Sequence, residues 1–122
     1  MALHDDLESL LPLPPATFHI LVALSDADRH GYGIMQEVAQ RTGGRTKLNP
    51  GTLYTTIQRL LERGLIAELS DVRERRDLDD DDERRRYYRL TPAGRRVAQL
   101  ELGRLTELVA LGRRAGLAPA KG

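Results

Sequence analysis

Residues 49–66 read NPGTLYTTIQRLLERGLI, and both ends of a helix are written in them. Asn49 can accept a hydrogen bond as an N-cap, and Pro50 stands at the first helical position, where its missing N–H costs nothing. Gly64 supplies the left-handed residue just past the end, with Leu65 placed to fold back on the last turn. Leu53, Ile57, Leu60 and Leu61 share one stripe at helical spacing. Thr52, Thr55, Gln58, Arg59 and Glu62 form the opposite side, and Tyr54 lies on the flank. A short helix therefore stands on an apolar foot and presents hydroxyls, an amide and a guanidinium outward, the inventory of a helix that reads a DNA groove. A solvated helix can carry the same groups, so the flanking chain has to decide.

Upstream, His30-Gly31-Tyr32-Gly33 reads as a turn entering a helix over about residues 32–42, with Ile34, Met35, Val38 and Ala39 as its core stripe. Gly43-Gly44 ends that helix, and the polar residues 45–48 lead to the Asn49 cap. Two short helices so joined, the second with the polar outer face, form a helix-turn-helix pattern. A further helix is expected from near Pro14–Pro15 to about Ala27, apolar on more than one face as in a helix buried between neighbours. Residues 1–13 carry an apolar pattern for one or two helical turns. Downstream of Gly64 the period changes from 3.6 to 2. Residues 65–70 and 86–91 read as two strands, the second with Tyr88 and Leu90 on one face and Tyr87 and Arg89 on the other. Residues 71–85 between them are almost wholly charged and are expected to form a hairpin tip. A hairpin after a helix-turn-helix is a wing.

Thr91-Pro92 repeats the cap-then-proline device and opens a last helix reaching about Ala115. Its apolar residues spread over roughly half the circumference, more than one packing surface needs. Part of that arc can cover the chain's own body. The rest calls for a second copy, since most soluble oligomers are symmetric homodimers. Val97, Leu102, Leu105, Leu108 and Val109 are the candidate dimerisation residues, and Glu101 and Arg104 interrupt the arc. The expected fold class is mostly α with a small β-hairpin, a winged helix-turn-helix with a long C-terminal dimerisation helix. Residues 1–91 are expected to hold the DNA-binding domain and residues 92–122 the dimerisation helix and tail.

Composition narrows the function classes. A chain of 122 residues is most simply one domain. With one Phe, four Tyr and no Trp, its core must come from Leu, Val, Ile and Ala. The absence of cysteine excludes disulfides, Cys-based zinc sites and thiol catalysis, and fits a reducing compartment. The longest uncharged run, residues 9–25, is broken by three prolines and too short to span a membrane. Asp5, Asp6 and Glu8 stand where a signal peptide needs Lys or Arg, so a cytoplasmic protein without a membrane role is expected. The formal net charge of +1 is uneven along the chain: residues 29–64 hold six basic and two acidic side chains, whereas residues 1–28 hold five acids and no Lys or Arg. The block containing the opening helix is thus locally basic, weak support for a polyanion partner.

Catalytic and metal-site patterns are not found. Asp77, Asp79 and Asp81 alternate as in a calcium loop, but the turn Gly and the closing Glu are missing. His4, His19 and His30 are too scattered to form a ligand set, His19 being the type of a satisfied core histidine and His30 a turn residue. Ser9, Ser25 and Ser70 lack a nucleophile elbow, and Gly43-Gly44-Arg45 lacks the length and ending of a phosphate loop. No enzyme activity, cofactor or metal is expected.

Three blocks in order then identify a resemblance: His30-Gly31-Tyr32-Gly33-Ile34; Pro50-Gly51-Thr52-Leu53-Tyr54 with Leu60-Leu61-Glu62-Arg63-Gly64-Leu65-Ile66; and Arg86-Tyr87-Tyr88-Arg89-Leu90-Thr91-Pro92-Ala93-Gly94. Over about residues 12–111 the chain resembles the PadR-like family of winged-helix transcriptional regulators. The resemblance implies a cytoplasmic prokaryotic homodimer, usually a repressor, held together largely by the C-terminal helix. Such a dimer binds an inverted-repeat operator with one recognition helix per half-site. The chain looks like the short form of the family. It lacks the tryptophan with which some short members stack flat ligands, and the additional C-terminal helices with which extended members sense phenolic acids. A small-molecule effector is therefore left open and unidentified.

In this frame Thr52, Thr55, Gln58 and Arg59 are the groove-facing candidates for double-stranded DNA. Tyr54 is either a phosphate contact or a half-buried packing residue with a wet tip. Asn49 is chiefly a cap, with the N–H groups of Thr52 and Leu53 expected to remain available to a phosphate. Lys47 and Arg45 suit backbone contacts that position without specifying. Arg84 is expected to neutralise the acidic run 79–83 across the hairpin, and Arg86 is the better DNA contact. The rival reading is a winged-helix adaptor that binds protein through its acidic wing.

Overall fold

The computed structural model describes residues 7–69 and 86–117. The elements described in full are the helices α1 (Pro15–Ala23), α2 (Gly31–Arg41), α3 (Pro50–Glu62) and α4 (Pro92–Arg114) and the strands β1 (Arg29–His30), β2 (Ile66–Leu69) and β3 (Tyr87–Leu90). Residues 70–85, with Arg84 and the acidic run, lie outside the described residues, as do residues 1–6 of the apolar N-terminal pattern.

The expected winged helix-turn-helix is present, with two differences of detail. The helix expected to reach Ala27 stops at Ala23, where side chains take the carbonyls of its last two residues. Ser25 Oγ donates to Val22 O at 2.7 Å, and Arg29 Nε donates to Ala23 O at 2.7 Å. The wing sheet has three antiparallel strands in the order β1-β3-β2 rather than two. Arg29 and His30 pair with Tyr88 and Tyr87 on the free edge of β3, while Ile66 to Leu69 pair with Leu90 to Tyr87 on the other. The residue read as a turn, His30, is thus at once the end of a strand and the N-cap of α2, its Nδ1 accepting from Gly33 N–H at 2.9 Å.

One core joins these four helices to the sheet. Ile20 and Leu21 of α1, Ile34 of α2, Leu53 of α3 and Val97 of α4 are 0% exposed and belong to one cluster with Leu65, Ile66 and Tyr88. Tyr88 and Leu90 do face this core, as alternation predicts, with Leu90 partly buried. Tyr87 is buried on the other sheet face, where the His30 ring meets it edge-on at 5.1 Å.

Helix α4 divides lengthwise. Its first half packs into the core through Val97, with Ala93, Ala98 and Leu100 partly buried. Glu101, read from sequence as an interruption, is 2% exposed and lies under the helix, gripped by Arg104 Nε and Nη2 at 2.7 Å each. The Arg104 hydrogen bonds hold its carboxyl below the usual carboxylate range against the opposing effect of burial, and the Leu13 backbone N–H adds to them. A buried carboxylate is tolerated because both oxygens are paired. Beyond it the helix stands clear: Leu102, Leu108, Val109 and Leu111 are each at least half exposed. No helix among the described residues is long and apolar enough to cross a membrane.

Candidate nucleic-acid interface

Helix α3 starts as its sequence dictates. Asn49 has extended backbone, and its Oδ1 accepts from Thr52 N–H at 2.8 Å, with Pro50 in the first turn. Leu53 N–H donates to the Asn49 carbonyl at 2.9 Å. The expectation that the N–H groups of Thr52 and Leu53 stay available to a phosphate is therefore corrected: the cap side chain takes one and the first intrahelical bond the other. Asn49 works as the cap.

The inner face of α3 is closed by Leu53, Ile57 and Leu60, none more than 2% exposed. Burial on this scale contributes roughly 1.5–3 kcal/mol per side chain, enough to fix the roll of the helix about its axis. That roll leaves Thr52, Thr55, Gln58 and Arg59 all exposed, as expected, with Thr52, Thr55 and Arg59 at i, i+3 and i+7 on one line. Lys47 and Arg45 are exposed on the connection leading into the helix.

Tyr54 is both things that the sequence allowed. It is 51% exposed, yet its hydroxyl oxygen lies only 2.5 Å from where a Cβ on Gly31 would stand. The ring rests on the first turn of α2, where a Cβ on Gly31 would require the Tyr54 side chain to shift, so Gly31 is the seat of the α3 flank. In sequence Gly31 reads as a turn residue, and nothing local reveals a contact made 23 residues away. Tyr32, 55% exposed, stacks on His30 with ring centroids at 6.4 Å beside the same turn. Behind Tyr54, burial raises the Tyr88 phenol, and the charge of Glu68 adds to the effect.

The basic residues sort into two groups. Arg29 and Arg41 are engaged internally: Arg41 reaches Asp26 at 3.0 Å and Glu37 at 2.8 Å, and Arg29 reaches Glu37 at 3.2 Å. This network binds the loop after α1 to α2. The Asp26 carboxyl is lowered although desolvation opposes it, because hydrogen bonds from Arg41 and Arg29 outweigh that effect, while the hydrogen bond to Glu37 leads in raising the Arg41 guanidinium. Arg89 is held by Asp28 at 2.8 Å. By contrast, Arg45, Lys47, Arg59 and Arg63 enter no ion pair among the described residues. Four unpaired cations therefore gather around α3, while Arg113 and Arg114, likewise without an ion pair among the described residues, lie at the far end of α4. Arg86 stands at the root of the returning wing strand with a side chain 75% exposed, 3.9 Å from Glu68, a contact too long and wet to immobilise it.

The candidate dimerisation residues separate by burial. Leu102, Leu108 and Val109 are exposed and Leu105 is half-buried. Val97 is a correction: at 0% exposure it is used up by the chain's own core and has no surface to offer a partner.

The three blocks that carry the sequence resemblance meet in space at α2, α3 and the wing. The model of the Transcriptional regulator PadR-like family matches residues 20–100, the stretch from α1 to the middle of α4. Transcriptional regulator Rv3488 of Mycobacterium tuberculosis is 41% identical over 90 residues, which cover 74% of this chain and 75% of that protein. An uncharacterised Lysinibacillus sphaericus protein is 36% identical over 77 residues, 62% of this chain, and the match spans 64% of that relative's length. The solved structure of a transcriptional regulator from Clostridium thermocellum superposes with a TM-score of 0.67 at 22% identity, over 90% of this chain and 93% of that one, a likeness of fold.

Proposed function

The chain belongs to the Transcriptional regulator PadR-like family, and on that premise we propose that it binds double-stranded DNA sequence-specifically as a homodimer on an inverted-repeat operator, acting as a cytoplasmic repressor. The observation that carries this reading is α3: a capped helix, its inner face closed by Leu53, Ile57 and Leu60, whose outer face is polar, exposed and surrounded by unpaired cations. In a major groove Arg59 pairs bidentately with guanine and Gln58 with adenine, while Thr52 and Thr55 meet base edges or a thymine methyl. Lys47, Arg45, Arg86 and the Tyr54 hydroxyl take phosphates and set the register without specifying sequence. Asn49 serves indirectly, by holding the first turn in place.

Dimerisation rests on the outer half of α4. Leu102, at 58% exposure, and Leu108 and Val109, at about half, form an apolar strip that a second copy covers most simply. In this reading residues up to 91 form the DNA-binding unit and α4 the dimerisation helix, whose first turns are shared with the core. Occupation of a promoter by such a dimer blocks polymerase.

The test is retention of labelled duplexes by the full chain across a salt series. A duplex selected by the chain from a randomised library should be bound far more tightly than an unselected one. The logarithm of affinity should fall with the logarithm of salt concentration with a slope of roughly −5, as for about three phosphates neutralised by Lys or Arg per protomer in a dimer. Absence of retention overturns the reading in favour of the protein-binding adaptor, and equal retention of both duplexes overturns sequence specificity.

A further inference from the structure

The end of α3 and the start of α4 are separated by the whole wing in sequence, yet they are joined backbone to backbone. Gly64, at φ 72°, turns the chain out of α3, and Leu65 N–H folds back to Leu60 O at 3.0 Å. The carbonyls of Gly64 and Leu65 are then both taken by one residue. Thr91 Oγ1 donates to Gly64 O at 2.7 Å, and Thr91 N–H donates to Leu65 O at 3.2 Å. The same Thr91 hydroxyl accepts from Gly94 N–H at 3.0 Å and so caps α4. Gly94 completes the joint, since a Cβ there would overlap the Leu65 carbonyl oxygen. No side chain separates the two backbones.

We propose that Thr91 is a positioning residue for DNA: through its hydroxyl it fixes the angle between the groove-reading helix α3 and the dimerisation helix α4, and thereby the half-site spacing that the dimer accepts. The consequence for spacing rests on the dimeric DNA-binding reading above; the joint itself is a matter of geometry. In a two-fold dimer, where α4 meets its copy, any rotation of α3 about this joint moves the two α3 helices apart or together at twice the rate. Half-site separation is a geometric property of this kind.

Two substitutions separate the cap from the clasp. Thr91→Asp keeps an oxygen to accept from Gly94 N–H, and Asp is a good N-cap, but at neutral pH it has no proton to donate to Gly64 O. Thr91→Ser keeps both bonds. Because the chain has no cysteine, a single Glu62→Cys on exposed α3 places one spin label per protomer, and pulsed electron–electron resonance reads the distance between the two. Wild type and Thr91→Ser should give the same narrow distribution, and Thr91→Asp a broader or displaced one while remaining dimeric and equally helical. On the library-selected duplex and the same duplex with one base pair inserted between half-sites, Thr91→Asp should lose discrimination about fivefold or more. Thr91→Val, lacking both hydroxyl bonds, should show the same two changes. A wild-type distance and discrimination ratio reproduced by Thr91→Asp overturn the clasp and leave the dimer standing, and so does Thr91→Ser behaving like Thr91→Asp. No inter-label distance in the wild type overturns the dimeric reading, and the spacing role with it.

Discussion

Replacing Gly94 by Ala tests the joint between the wing and α4 through stability alone. In an exposed helix interior this exchange is favourable by roughly 0.5–1 kcal/mol. Here the new methyl meets the Leu65 carbonyl oxygen, with Leu90 Cδ1 at 2.8 Å on its other side. Leu90 can rotate, but the carbonyl belongs to the backbone and is already bonded to Thr91 N–H. The two segments must therefore separate, at an overpacking cost of about 3 kcal/mol or somewhat more. The net loss is about 2 kcal/mol, a large share of the 5–15 kcal/mol typical of a domain. At about 4–8 °C per kcal/mol for a domain near this size, the melting temperature should fall by roughly 10 °C. The control is Gly112→Ala on the same helix, where nothing lies within 4 Å and a gain of a few tenths to 1 kcal/mol is expected. Thermal unfolding by circular dichroism at one protein concentration reads both. A Gly94→Ala chain that melts at or above the wild-type temperature refutes the backbone contact.

Two further expectations concern α4. Glu101 has a carboxyl lowered by Arg104, so its pairing contributes stability in full above the ordinary carboxylate value of about 4.3 and loses it as pH falls through the lowered folded-state value. Glu101→Gln should be less stable at neutral pH and show a flatter fall of melting temperature on acidification; parallel curves for the two chains would contradict the pairing. Replacing Leu105 and Val109 together by Glu should yield a folded monomer in sedimentation, whereas Val97→Glu, at a position with no exposure, should unfold the chain. A dimer that persists in the double variant places the interface elsewhere.

How far the sequence carried depended on whether a feature is local. The caps at Asn49 and Thr91, the prolines after them and Gly64 are short-range devices, and each stands where the pattern put it. The inner stripe of α3 was legible for the same reason, because Leu53, Ile57 and Leu60 repeat at helical spacing. β1 was not, since two residues have no period and owe their strand geometry to pairing with Tyr87 and Tyr88. The early end of α1, where Arg29 reaches Ala23 O, was hidden too. Angular position alone does not divide the apolar arc of α4 between the chain's own core and a partner, so Val97 and Leu102 read alike in sequence although one is buried and the other bare. The seat of Tyr54 on Gly31 and the clasp at Thr91 are contacts between distant segments and leave no mark on either segment alone.

The most direct test of the central proposal is the affinity of Arg59→Ala, at an exposed and unpaired position in the last turn of the α3 outer face, for the library-selected duplex and for random DNA at one salt concentration. A base-reading Arg59 predicts a loss of about 1–3 kcal/mol on the selected duplex and a much smaller loss on random DNA. Equal losses on the two, or none on either, would contradict the assignment of this face to base recognition.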